Sequence, residues 1–304
     1  MTAKPNRKGL AFPVESLFGG RVAPARLVQR GMADLERKLT QRFHAQEAAR
    51  REHLAALAKI HGPVRKMLGD NEKIAAGVKA LRDLQARYAR KKLVVPTAPK
   101  VRERIFTSPI GATIVPRFNY DWTWQASSNS PETATSSADR NTGQMSFSAW
   151  SAVDHWSSAN VRAALGIYFR PQVDNGVLIL TSTPALNFGW GDWCGFDSCH
   201  SDGWIGLIVG RYNLSGGFDG WSVDEMVNLW SDDSWWHGAG WHTGTNSGYS
   251  LAAWFSVDSS HWYAMWVWCG GDISADGWGT FTGSGAASTM SVTIPSITWG
   301  LFYG

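Results

Sequence analysis

The chain predicts an α + β protein in two parts, an amino-terminal amphipathic helical hairpin or coiled coil followed by an antiparallel, jelly-roll-like β-sandwich. Three observations carry this. Residues 1–104 hold 24 of the 29 Lys+Arg and 9 of the 25 Asp+Glu, whereas residues 105–304 hold 5 Arg, no Lys and 16 acids, so a half at +15 precedes a half at −11. All 18 Trp and all three Cys lie in that acidic half. Near residue 93 the apolar pattern also changes, from recurrence every three or four residues to alternation.

Residues 1–23 carry Pro5, Pro13, Gly19 and Gly20 without periodicity, which reads as an extended arm. Phe12, Val14, Leu17 and Phe18 give it apolar points to dock as an assembly strap. Residues 24–92 form the basic helical part. Val28, Met32, Leu35, Leu39 and Phe43 make one stripe, which returns at Leu54, Leu57 and Ile60. Gly62-Pro63 predicts the break between two helices, since Gly suits a helix end and Pro a first turn. Met67, Ile74, Val78, Leu81, Leu84 and Tyr88 mark the second helix, with a repeat near the coiled-coil value. Helices apolar on one side need a partner, here each other or copies from neighbouring chains, which makes a homo-oligomer the expectation. The basic runs Arg50-Arg51, Arg65-Lys66 and Arg90-Lys91-Lys92 read as solvated surface, or as contacts to an acidic partner or an anionic membrane surface. Aromatics that stack on bases are scarce there, which argues against nucleic acid.

Residues 93–116, with Pro96, Pro99, Pro109 and Pro116, read as a linker leading into a first strand. Residues 117–304 form the sandwich. Residues 125–144 are Ser/Thr/Asn-rich and read as a polar loop. Strand-like alternation then appears at 145–153, 161–170, 176–182, 204–212, 225–230, 249–257, 261–269, 288–294 and 297–303, predicting eight or nine strands. Asp-Gly-Trp at residues 202–204, 219–221 and 276–278 reads as a turn entering a strand. The echo of Trp150–Asp154 in Trp254–Asp258 hints at two related halves.

Nine tryptophans fall between Trp221 and Trp268, more than a sandwich interior is expected to absorb, so several should face outward at a common site. The run from Trp230 to His242 combines rings, acids and glycines, the combination that stacks on the C–H face of a sugar and accepts its hydroxyls. The candidate ligand-binding residues are Trp235, Trp236, His237, Trp241, His242, Asp232 and Asp233, with core packing as the alternative role for the indoles. Cys194 and Cys199 either pair and leave Cys269 odd, or all three stay as thiols. With His200 they form an off-pattern zinc set. Asp192, Asp197, Asp202, Asp272 and Asp276 offer calcium-type oxygens at no recognised spacing, so no cofactor is expected, with calcium as the exception to watch. Glu225 beside Asp224, Asp232 and Asp233 is the best carboxylate pair for glycoside hydrolysis. His155, His237, His242 and His261 each neighbour a Trp and are candidate pH-sensitive groups. No nucleophile elbow, zincin motif or phosphate loop is present. The residues given begin without an apolar run of signal type, so the expectation is cytoplasmic synthesis, with non-classical release. Together these features point to a non-enzymatic recognition or adhesion protein for a glycan or cell-surface partner. The alternatives are a toxin or pore-forming protein, a structural assembly subunit and a polysaccharide-acting enzyme.

Overall fold

The computed structural model describes residue 23 and residues 25–92, 95–97, 120, 122–127, 133–153, 157–194, 198–235, 239–246, 249–275 and 284–303. The arm and most of the proposed linker lie outside them. Two helices come first, α1 (Ala25–Gly69) and α2 (Glu72–Lys92). The strands are β1 (Trp122–Ser127), β2 (Ala134–Asp139), β3 (Gln144–Val153), β4 (Ser157–Phe169), β5 (Gly176–Ser182), β6 (Ala185–Cys194) and β7 (Ser198–Asn213), followed by β8 (Phe218–Trp235), β9 (Ala239–Asn246), β10 (Leu251–Val257), β11 (His261–Ala275), β12 (Ser284–Thr293) and β13 (Ile297–Tyr303). No described helix is long and apolar enough to cross a membrane.

The strands make two five-stranded antiparallel sheets, β1-β4-β11-β7-β8 and β2-β3-β12-β6-β9, and a three-stranded sheet β10-β5-β13. From β3 to β12, leaving out β5 and β10, the chain crosses between the two larger sheets at every step but one, the β7–β8 hairpin within the first sheet. The small sheet is built from what that path leaves over, and its buried face joins the same core. The core between the large sheets is Met145, Phe147, Val161, Leu165, Leu186, Ile205, Leu207, Met265, Val267, Met290 and Val292. These residues alternate along their strands, as a strand with one inward face requires.

A second apolar layer lies on the outer face of the first sheet, and α1 covers it. Leu27, Leu35 and Leu39 pack on Trp122, Tyr168, Trp204, Ile208, Tyr212, Trp262, Trp266 and Trp268. Charges then fix the helix along the acidic sheet: Lys38 and Arg42 reach Asp224 at 2.8 and 3.0 Å, and Arg50 reaches Asp202 at 3.3 Å. The opposite charges of the two halves of the sequence therefore meet inside one chain.

Several expectations are corrected. The helix does not stop at Gly62-Pro63; Pro63 lies inside α1, and the turn falls at Asp70 and Asn71. Asn71 Oδ1 accepts from the N–H groups of Lys73 and Ile74 at 3.2 and 3.3 Å, a cap that decides the boundary more strongly than the Gly-Pro pair. Among the described residues the helices touch around that turn, after which α2 comes against β6, β9 and β12, so they do not lie along each other as a hairpin. The polar stretch 125–144 contains β2 and the end of β1, because half-buried edge strands tolerate Ser and Thr. Asp202-Gly203-Trp204 lies inside β7 and Asp219-Gly220-Trp221 inside β8, so neither is a turn between strands; residues 276–278 lie outside the described ones. Trp150 sits on β3 of a large sheet and Trp254 on β10 of the small one, which rules out equivalent halves.

Tryptophan and glycine are matched across the ladders. Gly166 pairs with Trp122 on one side and Trp266 on the other, Gly206 with Trp268, Gly203 with Trp230, Gly285 with Trp193 and Gly191 with Trp241. Each indole folds over the bare backbone of its partner, where an added Cβ would meet ring atoms at 1.8 to 2.9 Å. This is how a sheet accommodates so many large rings on both faces.

Candidate functional site

Of the fourteen tryptophans whose side chains are described, nine are buried and one, Trp254, is exposed. The extra layer under α1 absorbs five of the nine, Trp122, Trp204, Trp262, Trp266 and Trp268. The proposed binding run is also divided. Trp241 and His242 are adjacent on β9 and therefore face opposite ways. Trp241 lies over Gly189 and Gly191 beside the stacked pair Trp150–Trp193, on the outer face of the second sheet. His242 is exposed and stacks at 5.2 Å on Trp190, which in turn stacks at 5.4 Å on Trp230. Asp232 accepts from the Trp190 indole N–H at 3.1 Å, so Asp232 and His242 do come to one place, around the Trp190 ring. Asp233 turns instead to His200. Trp235 ends β8; its side chain, and Trp236 and His237 altogether, lie outside the described residues.

Among the described residues an exposed aromatic surface lies on the small sheet. Its strands alternate strictly between buried and exposed positions, burying Leu178, Leu180, Phe255, Trp299 and Leu301 against the sandwich. The other face presents Trp254, Ile179, Val177 and Phe302, at 77%, 38%, 38% and 41% exposure. Register puts Trp254, Ile179 and Gly300 in one row and Ser256, Val177 and Phe302 in the next. Two strand spacings and one two-residue step separate Trp254 from Phe302, roughly 12 Å along the diagonal. Ala252, Thr181 and Thr298 form the third row. At one end the β10–β11 turn carries Asp258, whose carboxylate accepts from the Ser260 amide at 2.8 Å and meets His261 at 2.7 Å. Asp174 beside it accepts from Ser259 at 2.7 Å. The Trp254 signal was present in the alternation from Leu251 to Val257, where one face is Leu, Ala, Phe, Val and the other carries a lone Trp. His261, the other half of a His-Trp neighbour pair, is tied to Asp258 and to Asp219 at 3.2 Å.

At the opposite end, charge is buried between α1 and the first sheet. His200 stands between two carboxylates, Asp202 at 2.7 Å from Nε2 and Asp233 at 2.5 Å from Nδ1, with Arg50 of α1 against it. Arg50, His53, Ser198, Cys199, His200, Asp233 and Ser274 line an open recess with about 370 Å³ of empty space. Burial alone would lower the His200 pKa, but the hydrogen bonds to Asp202 and Asp233 outweigh it and push the value up to about 9. Asp233 is held below the ordinary carboxylate range by its bond to His200. Burial raises Asp272 to about 7 against the opposing pull of Arg162, and raises Asp192 well above its usual range. Asp192 and Asp272 are enclosed structural groups, whereas Asp233 faces the recess.

His200 sets a pH dependence. Its folded pKa lies above the ordinary value of about 6.5, so its contribution is complete below that pH and is lost as pH rises through about 9. The opposing contribution of Asp272, a cost that grows as its carboxyl ionises, is finished a little above pH 7. Thermal stability should therefore fall between pH 7 and 9, and His200→Asn should flatten that limb. A scanning-calorimetry series with an unchanged slope in the variant would show that the carboxylates do not hold the imidazolium.

The zinc reading fails on its ligands. Cys194 and Cys199 form a disulfide joining the two large sheets, and Cys269 is buried in the core with its thiol pushed up to about 12. Asp192, Asp202 and Asp272 sit buried on strands rather than in open loops, while Asp197 and Asp276 lie outside the described residues. Among the described residues no group of three or more His, Cys, Asp or Glu is placed to hold a metal. The carboxylate pair around Glu225 is not assembled either: Asp224 is engaged by Lys38 and Arg42, and Glu225, its neighbour on β8, points to the other side.

No protein-family model and no curated protein matches the sequence. Solved structures match weakly in shape. The enzymatically active domain of tailspike protein 4 of bacteriophage CBA120 aligns at 9% identity over 61% of this chain and 20% of its own, with a TM-score of 0.23. The carbohydrate-binding module TmCBM61, solved with β-1,4-galactotriose, aligns at 10% identity over 62% of this chain and 92% of its own, with a TM-score of 0.20. A family 11 carbohydrate-binding module of Clostridium thermocellum, solved with a mixed-linked tetrasaccharide, aligns at 10% over 56% and 88%, with a TM-score of 0.16. The chain thus spans about a fifth of the tailspike domain it matches. At these scores the function has to be argued from the chain's own surface.

Proposed function

We propose that the protein is a non-enzymatic recognition protein whose jelly-roll sandwich binds a glycan on the outer face of its small sheet. One observation carries the reading: Trp254 stands 77% exposed in a chain that buries nine of its described indoles. With Ile179, Val177 and Phe302 in the same and the next row it makes a contiguous exposed apolar patch, the kind of surface that marks an interaction site. Its face offers a stacking surface to the apolar C–H side of a pyranose ring. Phe302 gives a second ring at a separation that suits an oligosaccharide rather than a single sugar. Ser256, Thr181 and Thr298 supply hydroxyls between and beside the rings, and Asp258 and Asp174 supply carboxylates at the rim. Single aromatic sugar sites bind weakly, so linking several copies through the helical part raises avidity without new contacts.

Trp254→Ala is expected to leave thermal stability within about 0.5 kcal/mol, the usual range for an exposed position, while weakening glycan binding at least tenfold. A glycan array followed by titration calorimetry checks both halves of this. Binding that survives Trp254→Ala and Phe302→Ala together would move the site away from this sheet, and an unreactive array would end the glycan reading.

A further inference from the structure

The helical part carries an interface of its own. The docked face of α1 is marked by Leu27, Leu35, Leu39 and Phe43. At 100° per residue, Ile60 and Val64 fall within about 40° of the centre line of that face and Met67 within about 60°. The apolar side that seats the helix on the sandwich therefore continues beyond Arg50, the last residue of α1 with a described ion pair to the sandwich. There it meets water: Ile60 and Met67 are each 68% exposed and Val64 38%. After the turn, Ile74 at 38% and Leu84 at 57% add two more apolar side chains from α2. A solvated helix of such composition is marginal without a partner, because packing of its apolar face supplies most of its stability.

We infer that this elbow, formed by the distal half of α1 and the start of α2, is the surface through which two copies of the chain associate. This association does not depend on glycan binding. Continuity with the docked face is its first support: the same stripe that is buried intramolecularly is left over where the sandwich ends. A flat bilayer suits the geometry poorly, since the sandwich stands on the same side of α1 as the exposed stripe. A second elbow is narrow enough to enter. Two elbows related by a two-fold axis would bring four helical segments together with their apolar sides inward, a four-helix arrangement closed by symmetry. The exposed apolar side chains offer roughly 500 Å² per copy against the roughly 800 Å² per partner of a standard interface. The aliphatic stems of Lys59, Lys66 and Lys73 flank them and can supply the remainder.

The flanks give a distinguishing signature. Residues 51–92 hold 11 Lys+Arg and 4 Asp+Glu, so two elbows meet with like charge around an apolar seam. Salt should screen that repulsion and strengthen the association, where an ionic interface with an acidic partner would weaken. The test is sedimentation equilibrium of the full chain at low and at 0.5 M salt, for the wild type, Ile60→Asp and Met67→Asp, with circular dichroism to confirm the fold and flotation with anionic vesicles alongside. A dimer that tightens with salt at least threefold and dissociates at least tenfold more readily in both folded variants supports the inference. A monomeric wild type overturns it, as does a dimer indifferent to both substitutions. So does a monomer whose vesicle binding is lost in the variants, which would assign the stripe to lipid. A variant that fails to fold is replaced by Ile60→Ser and Met67→Ser, read by the same criteria.

Discussion

Leu39→Asp is expected to detach α1 from the sandwich and cost more than about 4 kcal/mol, a large share of the 5–15 kcal/mol that a domain of this kind has in total. Leu39 is fully buried in the layer that holds Trp204, Trp266 and Trp268. The substitution removes the burial of a leucine, about 2 kcal/mol, and sets a carboxylate in an apolar layer of rings. Thermal unfolding should shift down by about 10 °C or more, and indole emission should move to the red as the layer gains water. Lys38→Ala, one residue away, is the control. Lys38 pairs with Asp224 at 2.8 Å and lies over the Trp221 ring, but Arg42 holds the same carboxylate, so its loss should cost no more than about 1 kcal/mol. A Leu39→Asp chain with unchanged emission and midpoint would mean that α1 only rests on the sheet.

This layer also marks where sequence reasoning stopped. The alternation from Gly176 to Ser182 and from Ile297 to Tyr303 was sufficient to place β5 and β13 residue by residue, because one face of each strand is wet. Strands β4, β7 and β11 carry no clean alternation, since the core lies on one side and the helix layer on the other, and their predicted spans were too short. Strands β6 and β9 were missed: Gly189, Gly191, Gly240 and Gly244 read as loop, whereas each lies in the ladder. The stripe Val28, Met32, Leu35, Leu39 was legible as a helix face. Its partner was not, because a helix pattern shows that a face is apolar without showing what covers it. The charge asymmetry already held the clue, a +15 half and a −11 half that neutralise each other in one molecule.

The candidate site was legible only in part, since the Trp235 side chain, Trp236 and His237 lie outside the described residues. Density of Trp pointed to residues 230–242, yet density followed the glycine partners that let indoles pack. Asp232 and His242 do meet at Trp190, but that ring lies between His242 and Trp230. The exposed ring, Trp254, stands apart in sequence from any cluster of acids or glycines. What distinguishes it is position parity on a strand whose other face is core.

If pairing with glycine is what lets the sheets hold these rings, then Gly166→Ala should be among the most damaging single-methyl changes in the chain. Gly166 lies between two ladders, opposite Trp122 on β1 and Trp266 on β11. A Cβ there would fall 1.8 Å from Trp122 Cζ2 and 2.2 Å from Trp266 Cδ1. Neither ring has room to retreat, because each packs edge-on against the other at 5.0 Å and Leu27, Leu35 and Leu39 belong to the same cluster. Overpacking of this depth is expected to cost at least about 3 kcal/mol. Gly77→Ala on the exposed face of α2, where nothing lies within 4 Å, should instead gain about 0.5 to 1 kcal/mol. The decisive measurement is a double-mutant cycle by denaturant unfolding. Trp122→Ala alone opens a cavity and destabilises, but in the Gly166→Ala background it also removes the clash, so the two losses should fall short of their sum by more than about 1 kcal/mol. Additive losses would show that the methyl is accommodated by a backbone shift and that the Trp-over-Gly pairs are incidental to how this sandwich packs.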